Sequence, residues 1–160
     1  MKPILSALLT LAVFAAVAIV ATTSRHSVRP VYAQSGCNLA TLNGKYASSQ
    51  SGFEAKNTMG PPLPFATVGV STFDGAGNFS VTFTDMSPGK PGGYGTPVRG
   101  ATGSGTYTLN STDCTTGSVS VTSGDAAGIT FDIVIIGGGT EVFGINTTPF
   151  VIATADFKKQ

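Results

Sequence analysis

Apolar and polar residues alternate along much of the chain beyond Gly44. Phe79, Val81 and Phe83 interleave with Ser80, Thr82 and Thr84, and Val119 and Val121 with Ser118, Ser120 and Thr122. Successive side chains of an extended backbone point to opposite faces, so the pattern predicts strands with one apolar face. From Ile129 to Ile136 the odd positions Ile129, Phe131, Ile133 and Ile135 are all apolar, while Thr130 and Asp132 interrupt the other set. That segment is predicted to be the most buried strand. Apolar spacing of three and four over helical length is absent beyond Gly44, and Thr, Ser, Val, Ile, Phe and Gly dominate, as suits half-buried strands.

Turn residues divide the segment into eight predicted strands: Gly44 to Gln50, Phe65 to Phe73, Asn78 to Thr84, Gly103 to Asn110, Gly117 to Thr122, Gly128 to Ile136, Thr140 to Asn146 and Phe150 to Phe157. Short strands joined largely by tight turns predict an all-β, eight-stranded, antiparallel up-and-down β-barrel, because closure removes the edges such apolar strands would expose. A Greek-key β-sandwich is the alternative. In an up-and-down barrel, alternate connections lie at opposite ends. The turns at Asp74–Gly77, Ser111–Thr116 and Gly137–Gly139 are short, whereas Ser51–Pro64 and Met86–Thr102 are long. One end is therefore predicted to be tight and the other rich in loops.

The first 33 residues read differently. Lys2 precedes an apolar run from Ile4 to Ala21, and Val31-Tyr32-Ala33 forms a small-residue cleavage site, so residues 1–33 are expected to be an export signal and 34–160 a single domain. An uncleaved anchor is the competing reading, since the run is just long enough to span a membrane. Without that segment six basic residues face eight acidic ones, a net charge of −2. Such a chain has no field with which to hold nucleic acid or an anionic membrane. The only histidine, His26, falls in the leader, which removes His-based triads and His-ligated metals from the exported domain. No cofactor motif is present; Gly137-Gly138-Gly139 lies between two strands and is a turn, not a phosphate loop.

An exported chain with two cysteines is most simply read as carrying one disulfide, Cys37–Cys114. Cys37 precedes the first strand and Cys114 lies in a short turn, so the parity of the connections brings both to the tight end.

Tyr46, Phe79, Phe83, Tyr107, Phe131, Phe143 and Ile145 are the candidate interior residues. An eight-stranded barrel either fills its interior with such side chains or holds one small ligand, and both readings stand. Lys90, Arg99, Met59 and Tyr94 are candidates for a rim or lid at the loop-rich end. A three-residue hairpin loop at Gly137–Gly139 would place Ile135 opposite Glu141 and Ile133 opposite Phe143. Glu141 would then sit on the apolar face, where desolvation makes a carboxyl group a candidate general acid or base. A solvated residue just outside a turn is the plainer alternative. The triplets starting at Asn78, Asn110 and Asn146 would be glycan acceptors only in a eukaryotic secretory route.

Leu42-Asn43-Gly44-Lys45-Tyr46, Phe73-Asp74-Gly75-Ala76-Gly77, Gly105-Thr106-Tyr107-Thr108-Leu109-Asn110 with Asp113-Cys114-Thr115, and Gly139-Thr140-Glu141-Val142 resemble small exported bacterial β-barrel proteins of unknown function. Those barrels are similar to lipocalins and allene oxide cyclase, and Gly44-Lys45-Tyr46 resembles the lipocalin Gly-x-Trp start with Tyr in place of Trp. The resemblance implies export and a barrel. Function is left open by it; the Phe- and Ile-rich interior is read as binding a small hydrophobic molecule without catalysis, with a cyclase or isomerase using Glu141, or a surface structural or interaction protein with a filled core, as alternatives.

Overall fold

A computed structural model describes residues 37–55, 60–88 and 96–160. The expected export signal, Met1–Ala33, with its cleavage and anchor readings, lies outside them, as do the loop candidates Met59, Lys90 and Tyr94. A short 3₁₀ turn, Leu39–Thr41, leads into β1 Asn43–Glu54, β2 Leu63–Asp74, β3 Asn78–Asp85, β4 Val98–Leu109, β5 Thr116–Gly124, β6 Thr130–Ile136, β7 Glu141–Asn146 and β8 Val151–Lys159. Each strand pairs antiparallel with the next, and β8 returns to β1, with Ser48 opposite Phe157 and Gln50 opposite Ala155. The barrel is closed, as the alternation and turn spacing predict. The sandwich alternative is excluded.

Period-two burial follows the sequence pattern. In β6, Phe131, Ile133 and Ile135 are buried, while Asp132, Val134 and Ile136 are exposed. On β3 and β4 the outer positions Ser80, Thr82, Thr102, Ser104, Thr106 and Thr108 are exposed. Elsewhere the outer face is apolar in part: Val68 and Val70 on β2, Val134 and Ile136 on β6, and Phe143 and Ile145 on β7 are exposed. Among the described residues no helix is long and apolar enough to cross a membrane.

Several strands run beyond their predicted ends. β1 continues through Ser51-Gly52-Phe53-Glu54 because those residues pair with Leu63–Ala66 of β2 on one side and with Val151–Thr154 of β8 on the other. Pairing on both edges overrides the turn preference of Ser, Gly and Pro. β4 likewise begins at Val98, across an irregularity opposite Phe83 and Asp85. The long connections therefore shrink to residues 55–62 and 86–97.

The tight end is solid. Leu42, Tyr46 and Phe73 are fully buried there. Phe73 sits at the centre of an aromatic cluster, its ring centroid 5.2 Å from Tyr46, 5.1 Å from both Phe79 and Tyr107, and 6.0 Å from Phe157, mostly edge-to-face. The segment before β1 closes this end like a stopper. Asn38 caps the 3₁₀ turn by accepting a hydrogen bond from the Ala40 amide, and Cys37 is joined to Cys114 with their Cα atoms 5.3 Å apart. A disulfide of this kind suggests a non-reducing compartment.

Candidate functional site

The β6–β7 hairpin decides which side chains face the axis. Its connection contains four residues, Gly137 to Thr140, and the three glycines have φ of 61°, 66° and 91°. Glu141 therefore pairs with Ile136, Val142 with Ile135, Phe143 with Val134, and Gly144 with Ile133. This register is one residue away from the three-residue-loop expectation, and a one-residue slip exchanges the faces of the strand. Val142, Gly144 and Asn146 point inward. Phe143 and Ile145, expected inside, lie on the outer surface, 41% and 56% exposed. Glu141 is also on the outside, 3.8 Å from the Lys158 ammonium, and does not line the interior. The desolvated carboxyl group that a Glu141-based cyclase would require is not formed.

Contact with the N-terminal stopper fixes the turn. A Cβ on Gly139 would lie 2.0 Å from the Thr41 carbonyl oxygen, so only glycine allows this approach. The Tyr46 hydroxyl, from inside the barrel, donates to the Gly139 carbonyl. Burial raises the Tyr46 pKa above 10.0, with the neighbouring Tyr107 adding to the effect. Tyr46 is held as a neutral donor.

Tyr46, Phe79, Tyr107 and Phe131 are buried on the inner face, and Phe83 is half-buried there. Tyr46 and Tyr107 belong to the solid end. Phe79, Phe83 and Phe131, by contrast, border a cavity of about 390 Å³ that runs from the middle of the barrel toward the loop-rich end. The volume lies within the rough 300–1,000 Å³ range of small-molecule sites. The barrel is thus filled at one end and hollow at the other. Arg99 is exposed and does not line the cavity.

The cavity has two unlike walls. Val121, Ala126, Ile129 and Phe131, from β5, β6 and the turn between them, form a largely apolar wall that Asp125 of the same turn interrupts. Polar side chains face them from β1, β2 and β3. The registers place Gln50 opposite Thr67 and Thr67 opposite Asp85, so these three form one cross-strand row at a single level. Ser71 donates to Ser48 at 3.1 Å just below this row. Asp85 is 2% exposed, and its carboxylate accepts a hydrogen bond from the Ser87 hydroxyl. Asn146, 6% exposed, joins from β7; its carbonyl oxygen accepts from the Thr148 amide at 2.8 Å, which fixes the amide orientation.

Among the described residues, two buried side-chain polar atoms have no hydrogen-bond partner. The side-chain amide nitrogens of Gln50 and Asn146 are buried and make no hydrogen bond, and both residues line the cavity. A buried donor left unsatisfied costs about 1–3 kcal/mol. Such groups mark positions where a bound molecule can supply an acceptor.

The polar row was not among the candidate residues, although the signal was present. Continuing the parity of Tyr46 along β1 reaches Ser48 and Gln50, and continuing Phe79, Val81, Phe83 along β3 reaches Asp85. Apolarity, used as the criterion for the interior, passed over them. Among the described residues, no group of three or more His, Cys, Asp or Glu could hold a metal ion. No protein-family model, curated protein or solved structure matches the chain.

Proposed function

We propose that this protein is an exported, lipocalin-like barrel that binds one small, largely hydrophobic molecule in its interior without transforming it. One observation carries the reading: a barrel sealed by aromatic rings at one end holds a cavity of about 390 Å³ at the other, between an apolar wall and a polar arc. Native cores are packed to near-crystalline density, so an interior of this size left open is a departure that ligand burial accounts for. Among the described residues neither a histidine nor a cysteine lines the cavity, which favours retention of a ligand over nucleophilic chemistry. Export rests on the leader-like start of the sequence together with the Cys37–Cys114 disulfide.

Native mass spectrometry of the protein purified gently from its own host tests this reading. The expected result is a mass increment of one small molecule per chain that is lost on collisional activation. An empty barrel, combined with failure of the neutral dye Nile red to bind saturably, would refute it.

A further inference from the structure

The outer surface of the barrel is not uniform. Over β3 and β4 it carries hydroxyls, as at Ser80, Thr82, Ser104 and Thr106. Over β6 and β7 it carries Val134, Ile136, Phe143 and Ile145, each between 41% and 56% exposed. Val134 and Phe143 are direct partners in the ladder, and Ile136 and Ile145 stand one row to either side of them, so the four form one patch. Beside Phe143 runs a groove whose floor is the backbone of Gly117, Ile133 and Gly144 and whose far wall is Asp132 and Ile145. A closed barrel has no free strand edge, so a partner docks here only through side chains.

Size and charge indicate what that partner is. The four side chains leave roughly 350 Å² of apolar surface in water, within the range at which a patch on a monomer is often functional. Interfaces are about 60% apolar by area, so a contact centred on the patch covers roughly 600 Å² of each partner and about 1,200 Å² in total, the lower end for a specific complex. Charges of both signs flank the patch. Phe143 stands opposite Val134 on one side and Asp156 on the other; Asp132 lies two residues before Val134, and Lys158 two residues after Asp156. Because β6 and β8 run in the same direction, Asp132 and Lys158 occupy opposite corners with Phe143 midway between them. An acid and a base at opposite corners make the surface complementary to itself under a two-fold rotation.

We propose that the outer face of β6 and β7 is a dimerisation surface for a second copy of this chain, with Phe143 beside the two-fold axis. An axis that crosses the Asp132–Lys158 diagonal at right angles brings Lys158 of each copy over Asp132 of the other. It also seats each Phe143 ring at the other copy's groove. The Lys158 side chain is 79% exposed, and its 3.8 Å pair with Glu141 is of the loose surface kind that holds a lysine weakly, so it can reach across. An interface of this size implies a reversible dimer with a dissociation constant in the micromolar range. The contact uses outward side chains alone and does not depend on ligand binding in the interior.

Sedimentation velocity of the purified protein, over a series from about 1 to 500 µM, tests the contact. The wild type is expected to pass from monomer to dimer within the series. Phe143→Ser should weaken dimerisation about tenfold or more, whereas Val68→Ser, at an exposed valine of β2 whose ladder partners are Ser49 and Thr84, should leave it unchanged. Lys158→Glu and Asp132→Lys should each weaken it about tenfold by setting like charges against one another at two symmetric places, and the two together should restore association to within about threefold of wild type. Within one chain the width of β7 keeps Asp132 and Lys158 apart, so recovery reports a contact between copies. All four positions are on the outer surface, and circular dichroism checks that each variant keeps its β-structure. A wild type that stays monomeric throughout, or dimers that Phe143→Ser leaves intact, would overturn the proposal. Dimers lost in Phe143→Ser but not recovered by the charge exchange would overturn the two-fold arrangement. If a charge variant does not fold, the contrast between Phe143→Ser and Val68→Ser decides the matter alone.

Discussion

Tyr107 and Leu42 are joined across the closed end of the barrel: the tyrosine hydroxyl lies 2.9 Å from the Leu42 carbonyl oxygen and 2.8 Å from that of Leu39, and shares its proton between them. A strand residue thereby holds the segment that precedes the first strand. The ring itself packs edge-on against Phe73, so the tyrosine joins backbone pairing and core packing in one side chain.

Tyr107→Phe retains the ring and removes only the donor. The Leu39 oxygen still accepts from the Leu42 amide at 3.1 Å, so the loss falls mainly on the Leu42 carbonyl. The expected destabilisation is about 1–2 kcal/mol. Urea denaturation should show a lowered midpoint with an unchanged slope.

Replacing Cys37 and Cys114 by serine should cost more. The bridge spans a sequence separation of 77, for which loop-closure entropy sets a ceiling of about 4.5 kcal/mol, and native disulfides in small domains are typically worth about 2–5 kcal/mol. A loss of about 2–4 kcal/mol is expected on comparing the double variant with the oxidised protein by thermal or chemical denaturation. Reduction of the wild type should reproduce the same loss.

Alternation and turn parity carried the fold because a closed barrel obeys them everywhere: Phe79, Val81 and Phe83 face inward as their spacing requires, and Cys37 meets Cys114 where the count of connections puts them. β7 broke the inference for a definable reason. Its outward residues, Phe143 and Ile145, are larger and more apolar than two of its inward residues, Gly144 and Asn146, so hydrophobicity favours the wrong face. Interior space near β7 is already taken by the Phe131 and Phe157 rings, whose centroids are 6.4 Å apart. The register follows from the length of the Gly-Gly-Gly-Thr turn, which the Thr41 and Tyr46 contacts at Gly139 hold and which glycines alone do not encode. The polar lining of the hollow was passed over for a similar reason: parity places Ser48, Gln50 and Asp85 on the inner face, but their polarity marks them as surface residues.

Two glycines of this hairpin, Gly139 in the turn and Gly144 in β7, should respond in opposite ways to alanine. A Cβ at Gly144 would meet Ile133, Phe131 and Ala155 at 3.6–3.7 Å, ordinary contact distances, and its φ lies outside the left-handed region. Gly144→Ala is expected to stabilise by about 0.4–1 kcal/mol through the unfolded chain. Gly139→Ala combines φ of +91° with a Cβ 2.0 Å from the Thr41 oxygen, and should destabilise by more than about 2 kcal/mol. Differential scanning calorimetry of the pair checks the contrast, and with it the four-residue turn.

At acid pH the β2–β3 turn should lose a contribution. The Asp74 carboxylate accepts from the amides of Ala76 at 2.7 Å and Asn78 at 2.9 Å and from the Asn78 side chain, and these bonds, the Asn78 side chain first, hold its pKa below 3.8. A depressed carboxyl pKa stabilises the fold above the unfolded value and ceases to do so as pH falls through the folded value. The urea midpoints of wild type and Asp74→Ala should therefore differ near neutrality and converge below about pH 3.8, the ordinary aspartate value. A gap that is constant across this interval would assign the bonds to the neutral acid instead.

At alkaline pH the sign reverses, because the groups concerned are tyrosines that burial keeps protonated. Desolvation raises both Tyr46 and Tyr107 above 10.0, and the nearby Asp74 charge adds to the effect on Tyr107. In the interval between the unfolded and folded values the native state binds more protons, so the contribution is complete below pH 10 and declines as pH rises toward the folded pKa values. Each hydroxyl is also a donor, to Gly139 or to the Leu39 and Leu42 carbonyls, and a tyrosinate can donate to none of them. Ionisation and opening of the closed end should therefore be coupled. Tyrosinate absorbance followed alongside circular dichroism should show the late-ionising tyrosines and the loss of β-structure rising together above pH 10. In Tyr46→Phe and Tyr107→Phe the late absorbance should shrink in each case, whereas ordinary titration near pH 10 with an intact barrel would show that these hydroxyls do not hold the stopper.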